Sequence, residues 1–390
     1  MNTDAKVYTQ GTHRVRVPEE TWDIIRPLFD RFGVTRIADV TGLDVFGIPV
    51  VMAVRPLSWT LSVSQGKGQT LLLAKVSGAM EAIELWHAER AHPPVAQAGV
   101  TARELGVPYR LSAVGAIKSP LVDEDTPLDW VTARSLRTGA AVPVPRDAVC
   151  FRDPRVHQWT PGWIRANSNG LASGNSVEEA TLHAMYEVVE RDSLSRPSLE
   201  EYLAAPTIDP ATVTDATCRS MIDRITAAGG RISMHMLPSA FGVPTFRCVV
   251  WSWDFPLVCN GFGAHLDPAV ALSRAITEAA QGRLATIAGS RDDLEHFHDR
   301  LDKPQRRIEY LAAFPEPDTD FAGIADRHRL SFDNTTDELA WLSGLIEAEL
   351  DADVLVVDLS THEDFAVVKV VVPGGRLDVT RVHPRAERSS

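Results

Sequence analysis

Three stretches of this chain place polar residues at positions i, i+4 and i+7 of an otherwise apolar helical pattern, each with a glutamate at its centre. The three trios are Ser77, Glu81 and Glu84; His183, Glu187 and Glu190; and Arg274, Glu278 and Gln281. At about 3.6 residues per turn, this spacing puts each trio on one face of its helix. Carboxylates that face one another inside a protein repel and lose hydration, so they need a cation or strong donors. The pattern therefore predicts a carboxylate site for Mg²⁺.

A single polar stripe is most often the solvent face of an amphipathic helix, and that alternative stays open for any one trio. Threefold repetition with a central glutamate favours a shared site. The sequence has no GxxxxGK[ST], GxGxxG, HExxH or GxSxG motif, so any nucleotide site must be of a less common type. Mg²⁺ held by carboxylates and bridging to nucleotide phosphates fits this pattern, because Mg²⁺ prefers oxygen ligands.

Composition excludes several classes of protein. The chain has 390 residues, of which 44% are hydrophobic and 23% charged, as in globular proteins. A net charge of −13 without a Lys/Arg run argues against nucleic-acid binding. No segment approaches the ~20 apolar residues of a membrane helix and none resembles a signal peptide, so we expect a cytoplasmic protein that binds no membrane. Basic residues that could serve a small phosphate ligand are Arg14, Arg16, Arg274 and Arg283.

The periodicity predicts helices that alternate with blocks of several strands. The predicted helices cover 18–32, a stretch from Gly68 to Pro93, stretches that begin at Ser176 and at Asp267 with Pro268, and 337–350. The predicted strands cover 48–54, 130–136, 140–151, 231–237, 244–253, 258–266, 353–359 and 365–372. This order favours an α+β fold with mostly antiparallel sheets. We expect one catalytic unit over 1–390, with an N-terminal segment 1–69, a core 70–300 and a C-terminal segment 301–390.

A loop of small polar residues, 167–175, leads into the helix of the second trio. Ser176 is a strong N-cap and Glu179 follows three residues later, which predicts a capping box. A glycine-bearing loop at a helix N-terminus can also present backbone N–H groups to a phosphate. Both interpretations, a plain capped linker and an anion-binding loop, stay open at this point.

The stretch 167–196, NSNGLASGNSVEEATLHAMYEVVERDSLSR, resembles the signature block of the YcaO superfamily. Three further stretches are similar to its other motifs: SGAMEAIE at 77–84, ALSRAITEAAQGRL at 271–284, and TRIADVTGLDVFGIPVVMAVRP at 35–56. The resemblance implies a YcaO-like fold whose sheets and flanking helices enclose a Mg²⁺-ATP site. It also implies an enzyme that uses ATP, with Mg²⁺, to activate backbone amides of ribosomally made precursor peptides.

Carried over position by position, the resemblance implies specific roles. The implied Mg²⁺ ligands are Glu81, Glu84, Glu187 and Glu190. The implied nucleotide contacts are Arg14, Arg16, Ser77, Glu81, Asn175, Glu179, Arg191, Arg274, Glu278 and Gln281. No residue stands out as a general base, and His183 is the one candidate for a direct catalytic role. Leu85 stands where the family often has arginine, so one phosphate or carboxylate partner is missing there.

The reaction implied is addition of a nucleophile to an amide carbonyl, followed by phosphorylation of the resulting oxyanion to an O-phosphorylated hemiorthoamide. Loss of phosphate from this species leaves an azoline. We expect cyclodehydration of Cys, Ser or Thr to thiazoline or oxazoline. Thioamide and macroamidine formation, known from thioamide and bottromycin-like pathways, are alternatives, and an ATP-binding accessory or regulatory protein is an alternative of another class.

The implied partners are a precursor peptide and either no helper or a separate recognition protein, such as a TfuA-like one. We expect no fused peptide-binding domain. The C-terminal sequence VTRVHPRAERSS lacks the PxPxP tail of many partner-dependent members, which weakens that assignment. Homo-oligomerisation is left open.

Overall fold

The computed structural model describes residues 5–9, 11–115, 122–153, 164, 167–289, 314–328 and 330–376. The sequence VTRVHPRAERSS lies outside these residues. The helices are α1 (Pro18–Ile25), α2 (Leu71–Arg90), α3 (Ala102–Leu105), α4 (Arg146–Val149), α5 (Val177–Ser195), α6 (Leu199–Leu203), α7 (Ala216–Ala227), α8 (Pro268–Ile287), α9 (Phe321–Arg327) and α10 (Thr335–Leu350). Within the described ranges, none of them combines the length and apolar character needed to cross a bilayer.

Within the described residues, the strands form a hairpin and three larger sheets, and the pairings between these strands are antiparallel. The strands are β1 (Val7–Thr9), β2 (Thr12–Arg14), β3 (Arg36–Asp39), β4 (Val50–Val54), β5 (Val63–Lys67), β6 (Gln97–Val100), β7 (Leu128–Ser135), β8 (Ala141–Pro145), β9 (Leu171–Gly174), β10 (Thr207–Ile208), β11 (Arg231–Met236), β12 (Thr245–Trp251), β13 (Cys259–Ala264), β14 (Leu355–Asp358) and β15 (Ala366–Val371). Strand order is β3-β4-β5 in the first sheet, β10-β11-β12-β13 in the second, and β6-β7-β14-β15-β9 in the third, where β8 pairs with β7. The α+β class and the antiparallel sheets are thus confirmed.

Two predicted elements end earlier than expected, and proline accounts for both. The helix predicted to reach residue 32 stops at Ile25 and tightens into a 3₁₀ turn, Arg26–Leu28, because Pro27 has no N–H for an α-helical bond. The strand predicted for 140–151 stops at Pro145, and α4 begins at Arg146. In contrast, α8 begins as predicted, with Asp267 capping the Ala269 N–H at 2.8 Å.

Each of the three larger sheets ends on the strand that leads directly into one of the trio helices. Strand β5 precedes α2, β9 precedes α5, and β13 precedes α8. The strand and helix backbones of each unit are in close contact at glycine: a Cβ at Gly66 would lie 2.0 Å from the Ala74 carbonyl oxygen, and one at Gly261 would lie 2.2 Å from that of Ala275. This close packing fixes which face of each helix points away from its own strand.

Candidate functional site

The first two trio helices meet at strand β9. The Glu84 carboxylate on α2 accepts hydrogen bonds from the Ser173 backbone N–H at 2.9 Å and from its hydroxyl at 2.5 Å. Ser173 is buried in the strand that leads into α5. One carboxylate of the first trio therefore lies at the entrance to the second unit.

The third trio helix meets the first unit at strand β5. The Lys67 ammonium lies 2.7 Å from a Glu278 carboxylate oxygen, and the Gln281 side-chain amide donates to the Gln65 carbonyl at 2.8 Å. Ser77 of the first trio also faces this strand, because its hydroxyl accepts a hydrogen bond from the Lys67 N–H at 3.4 Å. Two of the three residues in the third trio thus bind the strand that precedes α2.

The carboxylates of the second trio contact the small-residue loop and Arg191. Glu187 accepts a hydrogen bond from the Gly170 N–H at 3.0 Å. The Arg191 guanidinium lies 3.6 Å from a Glu187 oxygen and 3.9 Å from a Glu190 oxygen. Although burial opposes it, the charges of Glu190, Glu187 and Glu278 raise the pKa of Arg191 above its ordinary value. Helices α5 and α8 therefore share one electrostatic site.

The carboxylates of this site are short of positive charge. Burial raises the pKa of Glu84 to about 8, and the charges of Glu81 and Glu187 add to this effect. Burial and the charge of Glu278 raise the pKa of Glu190 to about 7. Burial likewise raises the pKa of Glu187. The three predicted trios thus converge on one carboxylate cluster, hereafter Glu81, Glu84, Glu187, Glu190 and Glu278.

Oxygen donors with raised pKa values fit Mg²⁺, which takes oxygen ligands and completes its shell with water and substrate phosphates. Among the residues that the structure describes, no three His, Cys, Asp or Glu side chains already lie close enough to share one metal ion. The donor chemistry therefore fits, whereas the final ligand positions depend on the ion and the phosphates. The roles of Glu81, Glu84, Glu187 and Glu190 as Mg²⁺ ligands stay predictions.

A basic cavity adjoins the carboxylate cluster toward the N-termini of α5 and α8. Arg274 and His183 each stand about one turn before a cluster glutamate. Burial and the nearby Arg14 lower the pKa of Arg274 to about 10, and its guanidinium lies 5.8 Å from the centre of the Tyr186 ring. The cavity is lined by Lys6, His13, Arg14, Glu179, Leu182, His183, Tyr186, His265, Arg274, Thr335 and Glu338. The site thus has an acidic end and a basic end.

His183, the candidate catalytic residue, lies in the wall of this cavity. Its Nδ1 atom is buried and has no hydrogen-bond partner in the described part of the chain. Burial, together with the charges of Arg14 and Arg274, holds the pKa of His183 well below its usual range. The ring is therefore neutral near pH 7 in the protein without ligand. Its catalytic role stays a prediction.

A family model described as a YcaO cyclodehydratase that binds ATP and Mg²⁺ matches residues 65–376. The chain belongs to the YcaO family. This membership confirms the family predicted from the sequence, and with it ATP and Mg²⁺ as the cofactors that the family binds.

The chain is also similar to individual proteins. The structure of YcaO from Methanopyrus kandleri bound with AMPPCP and Mg²⁺ is 26% identical, with a TM-score of 0.72, and the match covers 98% of this chain and 97% of that one. A Rhizobium leguminosarum protein named from the tfuA 3′ region is 35% identical over 94% of this chain and 89% of its own length. Mycobacterium tuberculosis Rv1375 is 39% identical over 74% of this chain, and the match spans 65% of that relative.

Two residues implied as nucleotide contacts are engaged in hydrogen bonds within this YcaO protein. The buried Glu179 carboxylate accepts from the Val15 N–H at 2.7 Å and from the Asn175 N–H at 3.2 Å. Thr21 in turn donates to the Asn175 side-chain oxygen at 2.7 Å. The predicted capping box is therefore only half formed: Ser176 caps the Glu179 N–H, whereas the Glu179 carboxylate binds elsewhere.

The two arginines predicted as phosphate contacts in the N-terminal segment lie in different places. Arg14 lies in the cavity wall, with its Nε 3.6 Å from Glu179. Arg16 instead donates to the Asp364 carbonyl oxygen, so the structure does not bring it to the cluster. The prediction that Arg283 could serve a phosphate ligand is wrong, because Arg283 is fully buried, paired with Asp44 at 2.9 Å and in contact with Phe46.

Several polar residues of the site were missed in the sequence: Lys6, His13, His265, Thr335 and Glu338 in the cavity wall, and Lys67, Ser173 and Lys369 beside the cluster. Lys67 ends the strand VSQGK, where the small and polar residues gave no periodic signal. Ser173 stood inside the small-residue loop with nothing to separate it from its neighbours. Lys369 did carry a signal, because it is the one charge in the apolar strand AVVKVV.

Proposed function

We propose that this protein uses Mg²⁺-ATP to activate a backbone amide of a peptide and that the product is an azoline formed from a Cys, Ser or Thr side chain. The observation that carries the proposal is the convergence of carboxylates from three helices with too few cations, directly beside a basic cavity. The match to a YcaO cyclodehydratase family that binds ATP and Mg²⁺ supports an ATP-dependent enzyme of this kind.

The acidic end is suited to hold the metal and the basic end to hold phosphate. Glu81, Glu84, Glu187 and Glu190 would bind Mg²⁺. When bound, Mg²⁺-ATP supplies the phosphoryl group that turns the amide oxygen into a leaving group. Arg14 and Arg274 lie where fixed positive charge would stabilise phosphate oxygens, which is the main means of catalysis in phosphoryl transfer.

Arg191 would orient the metal-binding carboxylates, and His183 would accept a proton. Arg191 lies within 3.9 Å of both Glu187 and Glu190 and keeps these carboxylates oriented toward the third helix. His183 is the candidate to accept the proton of the attacking nucleophile, because its imidazole is neutral and its Nδ1 has no hydrogen-bond partner among the described residues, although its lowered pKa makes it a weak base in the protein without ligand. In this scheme the proton moves from the thiol or hydroxyl to Nδ1 as the new bond to the carbonyl carbon forms.

A separate protein partner is part of the proposal. The Rhizobium relative takes its name from the tfuA 3′ region, and it matches 94% of this chain. We therefore propose that a TfuA-like protein assists in recognition of the precursor peptide.

The test combines nucleotide binding with peptide mass. Calorimetry with Mg²⁺-AMPPCP should show binding to the wild type, a large loss of affinity in Glu187→Gln and Glu190→Gln, and none in Glu349→Gln, an exposed glutamate of α10. Peptides that contain Cys, Ser or Thr are then incubated with ATP, with and without the TfuA-like protein. Loss of one water supports the azoline, exchange of oxygen for sulfur indicates a thioamide, and nucleotide binding without any mass change indicates the accessory role.

A further inference from the structure

A lysine is buried in the middle of an apolar strand next to the candidate site. Lys369 is the only charged residue of β15, all six residues of which are buried, and its own exposure is 3%. Burial lowers the pKa of Lys369 to about 8. Burying an ammonium group costs free energy unless its donors are satisfied, so its contacts show what it does in this strand.

The ammonium group binds backbone and not a carboxylate. Its Nζ donates to the Asn167 carbonyl at 2.6 Å and to the Asn169 carbonyl at 2.8 Å. No acidic side chain of the described residues lies within ion-pair distance of the Lys369 ammonium group. The negative charge of Glu187 nevertheless raises the pKa of Lys369 and so favours its protonated form. Lys369 therefore holds the 167–170 loop through two hydrogen bonds, and its positive charge interacts with Glu187.

The loop that Lys369 holds ends at Gly170, whose N–H donates a hydrogen bond to Glu187. Gly170 adopts φ +75°, and a Cβ there would lie 2.3 Å from the Val370 carbonyl oxygen. Its carbonyl accepts from the Val370 N–H at 2.7 Å, and its N–H donates to Glu187 at 3.0 Å. The direction of the Gly170 N–H is thus set on one side by β15 and on the other by the loop that Lys369 holds.

We propose that Lys369 is a positioning residue for the metal site: it fixes the 167–170 loop so that the Gly170 N–H orients the Glu187 carboxylate toward Mg²⁺. The inference rests on the proposed function, because it gives Glu187 a metal to bind. Groups that orient a metal ligand from behind typically change metal affinity about 10- to 100-fold when they are removed. The same range is expected here.

The experiment measures how AMPPCP binding depends on Mg²⁺. Lys369→Met keeps an unbranched side chain one atom shorter and removes the donors and the charge. Val367→Ala, two residues along the same face of β15, serves as the control for simple loss of packing. We expect the Mg²⁺ concentration at half-saturation to rise about 10- to 100-fold in Lys369→Met and to stay unchanged in Val367→Ala, while metal-free AMPPCP affinity stays equal in both.

A double variant separates positioning from a general structural effect. If Lys369 acts through Glu187, adding Lys369→Met to Glu187→Gln should weaken Mg²⁺-AMPPCP binding no more than about twofold further. Should Lys369→Met fail to fold, Lys369→Gln, which keeps an amide donor, should give a smaller loss in the same direction. Unchanged Mg²⁺ dependence in a folded Lys369 variant, or full additivity with Glu187→Gln, overturns the inference alone. Absence of Mg²⁺-AMPPCP binding in the wild type overturns it together with the proposed function.

Discussion

Lys67 on β5 lies 2.7 Å from Glu278 on α8, and this ion pair links the strand before the first trio to the helix of the third. Lys67 also affects a glutamate of the second trio. The positive charge of Lys67 lowers the pKa of Glu190, whereas Glu278 raises it. A basic residue that no motif indicated therefore offsets part of the repulsion among glutamates from two helices.

Replacing Lys67 should destabilise the ligand-free protein only slightly. Both side chains are about a quarter exposed, at 25% and 27%, so the pair should contribute about 0.2–1 kcal/mol. We expect Lys67→Met to lower the free energy of unfolding in EDTA by this amount in urea titrations. Arg103→Met, which breaks the more exposed pair with Asp125, is the control. A loss in Lys67→Met no larger than that in the control would contradict a specific role in the cluster.

The stability of the ligand-free protein should fall as pH rises. Burial raises the pKa of Glu84 to about 8 and that of Glu190 to about 7 from an ordinary 4.5, so the folded state binds more protons than the unfolded state between these limits. Their contribution is complete below pH 4.5 and is lost as pH rises through 7 and 8. Melting temperatures measured in EDTA from pH 5.5 to 8.5 should show a smaller decline in Glu84→Gln than in the wild type.

Mg²⁺-AMPPCP should reverse this dependence, because the metal binds the deprotonated carboxylates. The rise in melting temperature on adding Mg²⁺-AMPPCP should therefore be larger at pH 8 than at pH 6. An equal rise at both values would argue against Glu84 and Glu190 as the groups that bind the ion.

Substitution of Gly66 should be among the most damaging single changes in the chain. A Cβ at Gly66 would lie 2.0 Å from the Ala74 carbonyl oxygen and 2.2 Å from the Gly78 nitrogen, and both are backbone atoms of α2 that cannot rotate away. We expect Gly66→Ala to cost about 3 kcal/mol or more, beyond ordinary overpacking. Gly344→Ala, in α10 with open space around it, should stabilise by about 0.5–1 kcal/mol. Similar stability of the two variants in chemical denaturation would refute the close packing of β5 on α2.

Glu179 should act mainly on the N-terminal segment. Its buried carboxylate accepts the Val15 N–H and lies 3.6 Å from Arg14, so it ties residues before α1 to α5. Glu179→Gln keeps the shape but replaces charge-assisted bonds, and we expect a loss of about 1–3 kcal/mol. Hydrogen exchange should speed up at 11–17 before any other region, with Glu178→Gln on the same helix as the control. Unaltered exchange at 11–17, with loss of nucleotide affinity, would instead support a direct nucleotide contact.

Most helices and strands could be predicted from the sequence, because their formation depends on residues that are neighbours in the chain. Apolar periodicity marked α2, α5 and α8, and Ser176 and Asp267 marked two helix starts within a residue. The errors came from prolines whose effect depends on their exact position. Pro27 ended α1 early, and Pro145 ended β8 where an unbroken strand to residue 151 was predicted. The helices α3, α4, α6, α7 and α9 were not predicted, and all of them except α7 have seven residues or fewer.

By itself, the sequence determined the class of fold, the family and the faces on which the glutamates lie, because helical spacing and motif order are properties of the linear chain. Only the tertiary structure decided which side chains share a site. Arg283, which looked available to a phosphate, is enclosed by Asp44 and Asp254. Lys67, for which no element was predicted, and Lys369, the one charge of a predicted strand, lie beside the cluster. These outcomes depend on how three sheets bring distant strands and helices together, and no spacing along the chain records that packing.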